Sequence, residues 1–218
     1  MTKQTMPNKT KAHTRYKLAE GTIVPGVTTI TGLLNKPALV PWANKMGLQG
    51  IDTSKYVEEM AQIGTLAHNM ILCHYKNTEP DLSDYTPNQI ELAENCLLSY
   101  WSWEKQHTIE PIIVEEPIVS ELMRYGGMPD CYCKLNGKPV LLDFKTGKAI
   151  YPEYFYQVSA YANLLIERDY PISEIRILRI GRDEDEGFEE HGIQYWGKHF
   201  EIFEHLLAIY HLQKEIKK

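Results

Sequence analysis

Apolar positions along the chain change their spacing near its middle, and that change divides the expected fold. From Ser54 to about Lys76, the residues Ile63, Leu66, Ala67, Met70, Ile71 and His74 fall on one stripe of helical period, which predicts an amphipathic helix. A second helix announces its start at Thr86-Pro87-Asn88-Gln89: a capping threonine, a proline in the first turn and a glutamine placed to close a capping box. Ile90, Ala93, Leu97 and Trp101 mark its expected buried face, and Pro111 closes the region. Upstream, residues 14–27 read as two short extended pieces around a Gly-containing turn. Residues 28–36 are helical up to Pro37, and 38–48 form another short helical segment.

Beyond Pro111 the period falls to two. Residues 112–122, 125–135 and 138–146 read as three strands, rich in Val, Ile, Leu and Tyr. Asn136-Gly137 between the second and third is a strong hairpin signal, since both positions tolerate the left-handed backbone such a turn requires. A helix over 153–169, a strand over 172–181 and an amphipathic helix from about Lys198 follow, the last marked by Phe203, Leu206, Leu207, Tyr210 and Ile216. This order predicts one domain over residues 1–218, of α/β (α+β) class, with a mixed central sheet flanked by helices. Its expected parts are a flexible tail (1–13), a hairpin and helical region (14–109), a β-β-β-α-β core (110–181) and a C-terminal helix (196–218).

Composition narrows the class. The 218 residues are 43% hydrophobic and 24% charged, as in an ordinary globular protein, and no apolar run approaches the roughly 20 residues that cross a bilayer. The polar, basic first residues lack the apolar stretch of a secretory signal, so a reducing cytoplasm is the expected location. Cys131 and Cys133 alternate onto one face of a strand, while Cys73 and Cys96 lie in helices; all four read as small buried or half-buried thiols. A net charge of −6 does not exclude a nucleic-acid partner, because binding depends on where cations cluster. Lys3, Lys9, Lys11, Arg15 and Lys17 crowd the start, whereas Asp183–Glu186 and Glu189-Glu190 hold much of the acid. That acidic run is expected to be a solvated turn set away from any phosphate-bearing substrate.

Candidate chemistry lies at Gly127-Met128-Pro129-Asp130 and Asp143-Phe144-Lys145. A hairpin closed at Asn136-Gly137 puts Asp130 and Asp143 about equally far from the turn, on neighbouring strands. Two carboxylates so placed repel, and a divalent cation relieves the repulsion; hard oxygen ligands suit Mg²⁺ or Mn²⁺. Residues i and i+2 share a strand face, so Lys145 points with Asp143, where an ammonium can orient water or neutralise charge on a phosphorane oxygen. Phe144 points to the core, leaving its backbone carbonyl for the ion. Asp-x-Lys on a strand is commonly an exposed ion pair, but Val140-Leu141-Leu142 before it has the composition of a buried central strand, where a charged pair is costly without a purpose.

GGMPD, LLDFKTG and Gln157-x-x-x-Tyr161 together resemble the PD-(D/E)xK nuclease superfamily, in its RecB-type and phage exonuclease branch. The resemblance covers the chain from about Gly64 to Ile180, and residues 16–43 are also similar to the start of phage-encoded members. It implies a restriction-endonuclease-like core behind an N-terminal helical region. Asp130 and Asp143 match the metal-binding acids and Lys145 the catalytic lysine. His68, one turn after Gly64, matches a histidine supplied to the metal from a helix. Glu115 matches the acid of the first core strand, with Glu116 as the alternative. Gln157 and Tyr161 match the QxxxY motif, both on one helix face. Some relatives hold an iron–sulfur cluster through cysteines after that motif; no cysteine follows Cys133, so no cluster is expected.

What this implies is a divalent-metal-dependent DNA exonuclease acting on single- or double-stranded ends in recombination or repair, working beside a strand-annealing protein and as a monomer or a homo-oligomer. A flap or structure-specific endonuclease and a catalytically silent DNA-binding module are the alternatives. Trp42, Lys45, Trp101, Trp103 and Tyr151 are candidates to guide or stack on a strand, and Lys36, Lys45, Arg124 and Lys148 to meet phosphates. Each of these aromatics fits a place in the core or on its rim equally well. No phosphate-binding GxxxxGK[ST] loop or serine-hydrolase elbow is present.

Overall fold

The computed structural model describes residues 14–217; the expected tail, with Lys3, Lys9 and Lys11, lies outside them. The chain opens with a hairpin, β1 (Tyr16–Lys17) on β2 (Ile23–Val24), followed by α1 (Val27–Thr31) and α2 (Leu39–Leu48). Two long helices come next, α3 (Thr53–Lys76) and α4 (Pro87–Glu104), packed side by side and running in the same direction: Gln62 meets Gln89 at one end, and His74 meets Glu104 at the other. Asp52 caps the first through Ser54 and Lys55 N–H, and Thr86 with Gln89 closes the expected capping box on the second.

The sheet elements are β3 (Ile109–Val114), β4 (Ile118–Ser120), β5 (Tyr125–Gly127), β6 (Cys131–Leu135) and β7 (Lys138–Lys145). After α5 (Pro152–Ile166) come β8 (Glu174–Ile180), β9 (Phe188–Ile193) and α6 (Gly197–Ile216). The main sheet has the order β3-β6-β7-β8-β9, mixed because β7 and β8 run parallel across α5 while every other pair is antiparallel. The mixed α+β architecture is therefore as expected.

Period-two alternation sorts β7 between two cores. Val140, Leu142 and Phe144 pack with α3 and α4, joined by Cys131, Cys133, Leu178 and Ile180. Leu141 packs on the other side with α1, α5 and α6, beside Ile175 and Ile177. Each such fully buried side chain contributes about 1.5–3 kcal/mol. Asp143 and Lys145 share the parity of Leu141 and so face α5. Asn136 (φ 51°) and Gly137 (φ 80°) make the left-handed turn that pairs Leu135 with Lys138.

Several expectations are corrected. Two of the three expected strands each break in two, after Val114 and after Gly127, so β4 and β5 peel off as a separate hairpin. The breaks fall at Glu115, held at φ 53°, and around Asp130, whose carbonyl accepts the Glu115 N–H at 3.1 Å. The buried face of α4 is Ala93, Cys96, Tyr100 and Trp103, leaving Ile90, Leu97 and Trp101 half-buried on its flank. His74 leaves the α3 stripe for the surface, where Nε2 lies 2.8 Å from Glu104, and Ile216 is 84% exposed.

The core also extends past residue 181. Glu189 and Glu190, read as part of a solvated turn, lie on the edge strand β9 and pair with Arg179 (3.0 Å) and Arg176 (2.5 Å) of β8. The turn between β8 and β9 is closed by a buried Arg182–Glu186 pair. Because β8 is parallel to β7, this acidic turn lies at the same end of the sheet as Lys145, not away from it, and the charge of Lys148 reaches Glu186.

Candidate active site

Asp130 stands one residue before β6. The register that sets Cys131 opposite Leu142 carries on to set Asp130 opposite Asp143. Freed from strand pairing, the Asp130 carboxylate accepts the backbone N–H of Phe144 through Oδ2 at 2.8 Å. His68 reaches the same oxygen from α3, with Nδ1 at 3.7 Å, and its ring meets Phe144 edge-on at 6.1 Å. A hydrogen bond with the Phe144 backbone also favours the protonated ring.

Asp143 is fully buried, and Lys145 Nζ stands 2.6 Å from its Oδ2. Apart from that ammonium, neither oxygen of Asp143 has a hydrogen-bond donor. Burial, opposed by the Lys145 charge and reinforced by Asp130, pushes its carboxyl up to about 6. Burial works against the Lys145 charge too, but Asp143 and Asp130 together lift it above an ordinary lysine. Burial first, then the Lys145 charge, lowers His68 to about 4, so its imidazole is neutral at pH 7 and free to ligate.

The helix α5 closes the other side. Gln157 Nε2 donates to the Tyr161 hydroxyl at 3.0 Å, and the Tyr161 hydroxyl is held well above its usual range by burial and by the charges of Asp143 and Asp130. Tyr154, three residues before Gln157, lays its ring 5.0 Å from Lys145 Nζ. Sequence reasoning missed Tyr154, although helical spacing from Gln157 places it on the same face. Two glycines let these parts approach: a Cβ on Gly64 would stand 2.5 Å from Thr146 Oγ1, and one on Gly127 2.6 Å from Tyr161 Cε1.

Of the remaining candidates, Glu115 is half-buried and acts on the charge of His68, while Glu116 is exposed. Trp103 is core, its indole N–H donating to Glu190 at 3.0 Å, which removes it as a stacking surface. Trp101 lies against His74 and Trp42 against Tyr56, both half-buried, whereas Tyr151 is exposed at 45%. Lys36 pairs with Glu153 at 2.6 Å and Arg124 with Glu20 at 3.4 Å; Lys45 and Lys148 are exposed.

Among the described residues, no three His, Cys, Asp or Glu side chains form a group at metal-holding spacing. Asp143 is engaged by Lys145 and Asp130 by Phe144 N–H. The donor set nevertheless fits a hard divalent cation. It offers the carboxylates of Asp143 and Asp130, a neutral imidazole and the Phe144 carbonyl, and one buried Asp143 oxygen has no donor at all.

No family model and no curated protein matches the sequence. Solved structures are similar in fold. The likeness is distant. An alkaline exonuclease, LHK-Exo from Laribacter hongkongensis, is similar at TM-score 0.42 and 12% identity, over 72% of this chain and 86% of that one. LHK-Exo in complex with dAMP gives TM-score 0.41 and 11% identity over 73% and 86%. SSO0001 gives TM-score 0.31 and 13% identity over 69% and 74%. No helix among the described residues is long and apolar enough to cross a membrane.

Proposed function

We propose that this chain is a divalent-metal-dependent deoxyribonuclease that hydrolyses phosphodiester bonds at DNA ends. The observation that carries the reading is Asp143: a carboxylate buried completely, lacking a donor on one oxygen and set 2.6 Å from a buried lysine, with Asp130 and His68 beside it. Such an arrangement is costly to fold and has a chemical use only if a cation and a reacting anion complete it.

In this reading Asp130, Asp143, His68 and the Phe144 carbonyl hold the ion. Mg²⁺ or Mn²⁺ held there would supply Lewis-acid polarisation of the phosphodiester and activation of water. Lys145 donates its ammonium protons toward the attacking water or a non-bridging phosphate oxygen, kept in place by the Tyr154 ring. Clamped by Phe144 N–H, Asp130 keeps a fixed orientation. Glu115 adds a carboxylate at the strand break, and the Gln157–Tyr161 pair orients the substrate-facing side of α5. DNA as the substrate rests on the GGMPD, LLDFKTG and QxxxY resemblance, as does action in recombination or repair beside a strand-annealing protein.

End-labelled single- and double-stranded DNA and a covalently closed circle, incubated with Mg²⁺, Mn²⁺ or EDTA, test this. Metal-dependent loss of linear DNA with the circle intact is the expected result. Cutting of the circle would make the enzyme an endonuclease, and survival of all three substrates under every ion would overturn the proposal.

A further inference from the structure

A second feature lies across the Gly126-Gly127 strand from the carboxylates. The first hairpin, the loop before β5 and the C-terminal half of α6 line an open cavity of about 550 Å³. Its charged walls are Arg15, Arg124 and Lys214, with His211 beside them, on a chain whose net charge is −6. Only Arg124 has an acidic partner among the described residues, Glu20 at 3.4 Å. Arg15 is exposed, and Lys214 Nζ lies 5.6 Å over the Tyr210 ring, which also faces the cavity. Ile23, Val24 and Pro25 supply an apolar wall.

Tyr16 forms the wall toward the candidate active site. Its ring packs so closely on Gly126 and Gly26 that no Cβ fits at either. On the next residue, Gly127, lies the ring of Tyr161, which feels the charges of Asp143 and Asp130. A strand seated in the cavity is therefore separated from the carboxylates by two tyrosines and a Gly-Gly strand. Cations spread over three elements beside an aromatic and an apolar wall suit a polymer with repeated phosphates and planar bases, more than a single small anion.

We propose that this cavity binds the backbone of a DNA strand flanking the scissile phosphate, through Arg15, Arg124 and Lys214. The proposal rests on the nuclease reading for its biological sense, but its test does not require cleavage. Binding of a fluorescein-labelled single-stranded 20-mer is followed by anisotropy in EDTA across a salt series, for the wild type and for Arg15→Ala/Lys214→Ala. Loss of two phosphate contacts should weaken binding about tenfold and flatten the log–log salt slope by about 1.4. Lys134→Ala, an exposed lysine paired with Glu110 at the opposite end of β6, is the charge control and should bind as wild type does. An unchanged affinity and slope in the double variant would overturn the proposal, as would an equal loss in the control. Inorganic phosphate at millimolar concentration should compete only as salt does; saturable displacement would assign the cavity to a single anion instead. The end-labelled and circular DNA substrates with Mg²⁺ or Mn²⁺ are run alongside: survival of all of them would remove the nuclease reading while leaving the binding result to stand or fall separately.

Discussion

The carboxylate of Asp130 accepts the backbone N–H of Phe144 at 2.8 Å, so an acid beyond the end of one strand is tied to the residue between Asp143 and Lys145 on the next. The tie is both electrostatic and steric. It satisfies a backbone donor that the β6–β7 ladder no longer serves, and it fixes Asp130 beside His68.

Charge and geometry at Asp130 can accordingly be separated. Asp130→Asn keeps an oxygen that can accept from Phe144 but removes the anion; Asp130→Ala removes both. We expect both variants to lose metal-dependent hydrolysis by 100-fold or more, on the order seen when a group acting directly at a reacting centre is deleted. In EDTA, urea unfolding should show Asp130→Ala less stable than Asp130→Asn by about 0.5–1.5 kcal/mol, the magnitude of a lost neutral hydrogen bond. Equal stability of the two would mean the clamp contributes nothing.

Gly64 and Thr146 offer a steric test. A methyl at Gly64 meets Thr146 Oγ1 at 2.5 Å, next to Lys145. Gly64→Ala alone should therefore displace Thr146 and reduce activity, despite adding helix propensity within α3. Combined with Thr146→Ala the clash disappears, and the double variant should exceed Thr146→Ala in stability by about 0.5–1 kcal/mol, the ordinary gain of Ala over Gly in a helix. Thermal denaturation of the four proteins in the cycle checks this; additive effects would show that the two sites do not touch.

What was legible in the sequence follows from how each signal arises. Helices α3 and α4, the Asn136-Gly137 turn and the buried strand β7 carry strong periodic or turn chemistry, and they bring Asp130, Asp143, Lys145 and His68 to one end of the sheet. The edge strand β9 was hidden because Phe188–Ile193 buries only Ile193; its position depends on arginines of β8 rather than on an apolar alternation. The strand breaks at Glu115 and Asp130 carried a signal, Pro117 in one and Gly126, Gly127 and Pro129 in the other, which the Val, Ile and Tyr around them outweighed. On α4, Trp101 and Leu97 compete with Tyr100 and Cys96 one position, about 100°, round the helix, and packing against Phe144 and Ile180 decides between them. Tyr154 was legible on spacing but carried no motif to draw attention to it.

The Arg182–Glu186 pair makes a pH prediction. Glu186 is held below the ordinary carboxylate range, first by its hydrogen bond with Arg182, and the two side chains are 7% and 11% exposed. A depressed carboxyl contributes stability that is complete above its unfolded pKa of 4.5 and is lost as pH falls through the lower folded value. Glu186→Gln should cost about 1–3 kcal/mol at pH 7, and the gap from wild type should narrow progressively below about pH 4. Urea denaturation at pH 7 and 3.5 measures both. A gap of the same size at both values would mean that the pair's charge is not what closes this turn.

Metal binding should be visible in stability before any DNA is added. A completely buried Asp143 with a carboxyl raised to about 6 holds unfavourable charge that a cation would relieve. Mn²⁺ or Mg²⁺ at about 100 times its dissociation constant adds about 2.7 kcal/mol to the folded state, or roughly 5–10 °C in Tm for a chain of this size. EDTA should reverse the shift. Asp143→Asn removes the anion and should abolish it. Lys145→Met makes the opposite prediction: the ammonium 2.6 Å from Asp143 competes with a divalent ion for the same oxygen, so its removal should lower metal-free stability yet enlarge the metal-induced shift. If Asp143→Asn were stabilised by metal as fully as the wild type, the ion would bind elsewhere on the chain. If Lys145→Met showed a smaller shift than the wild type, lysine and cation would be partners rather than competitors at that carboxylate.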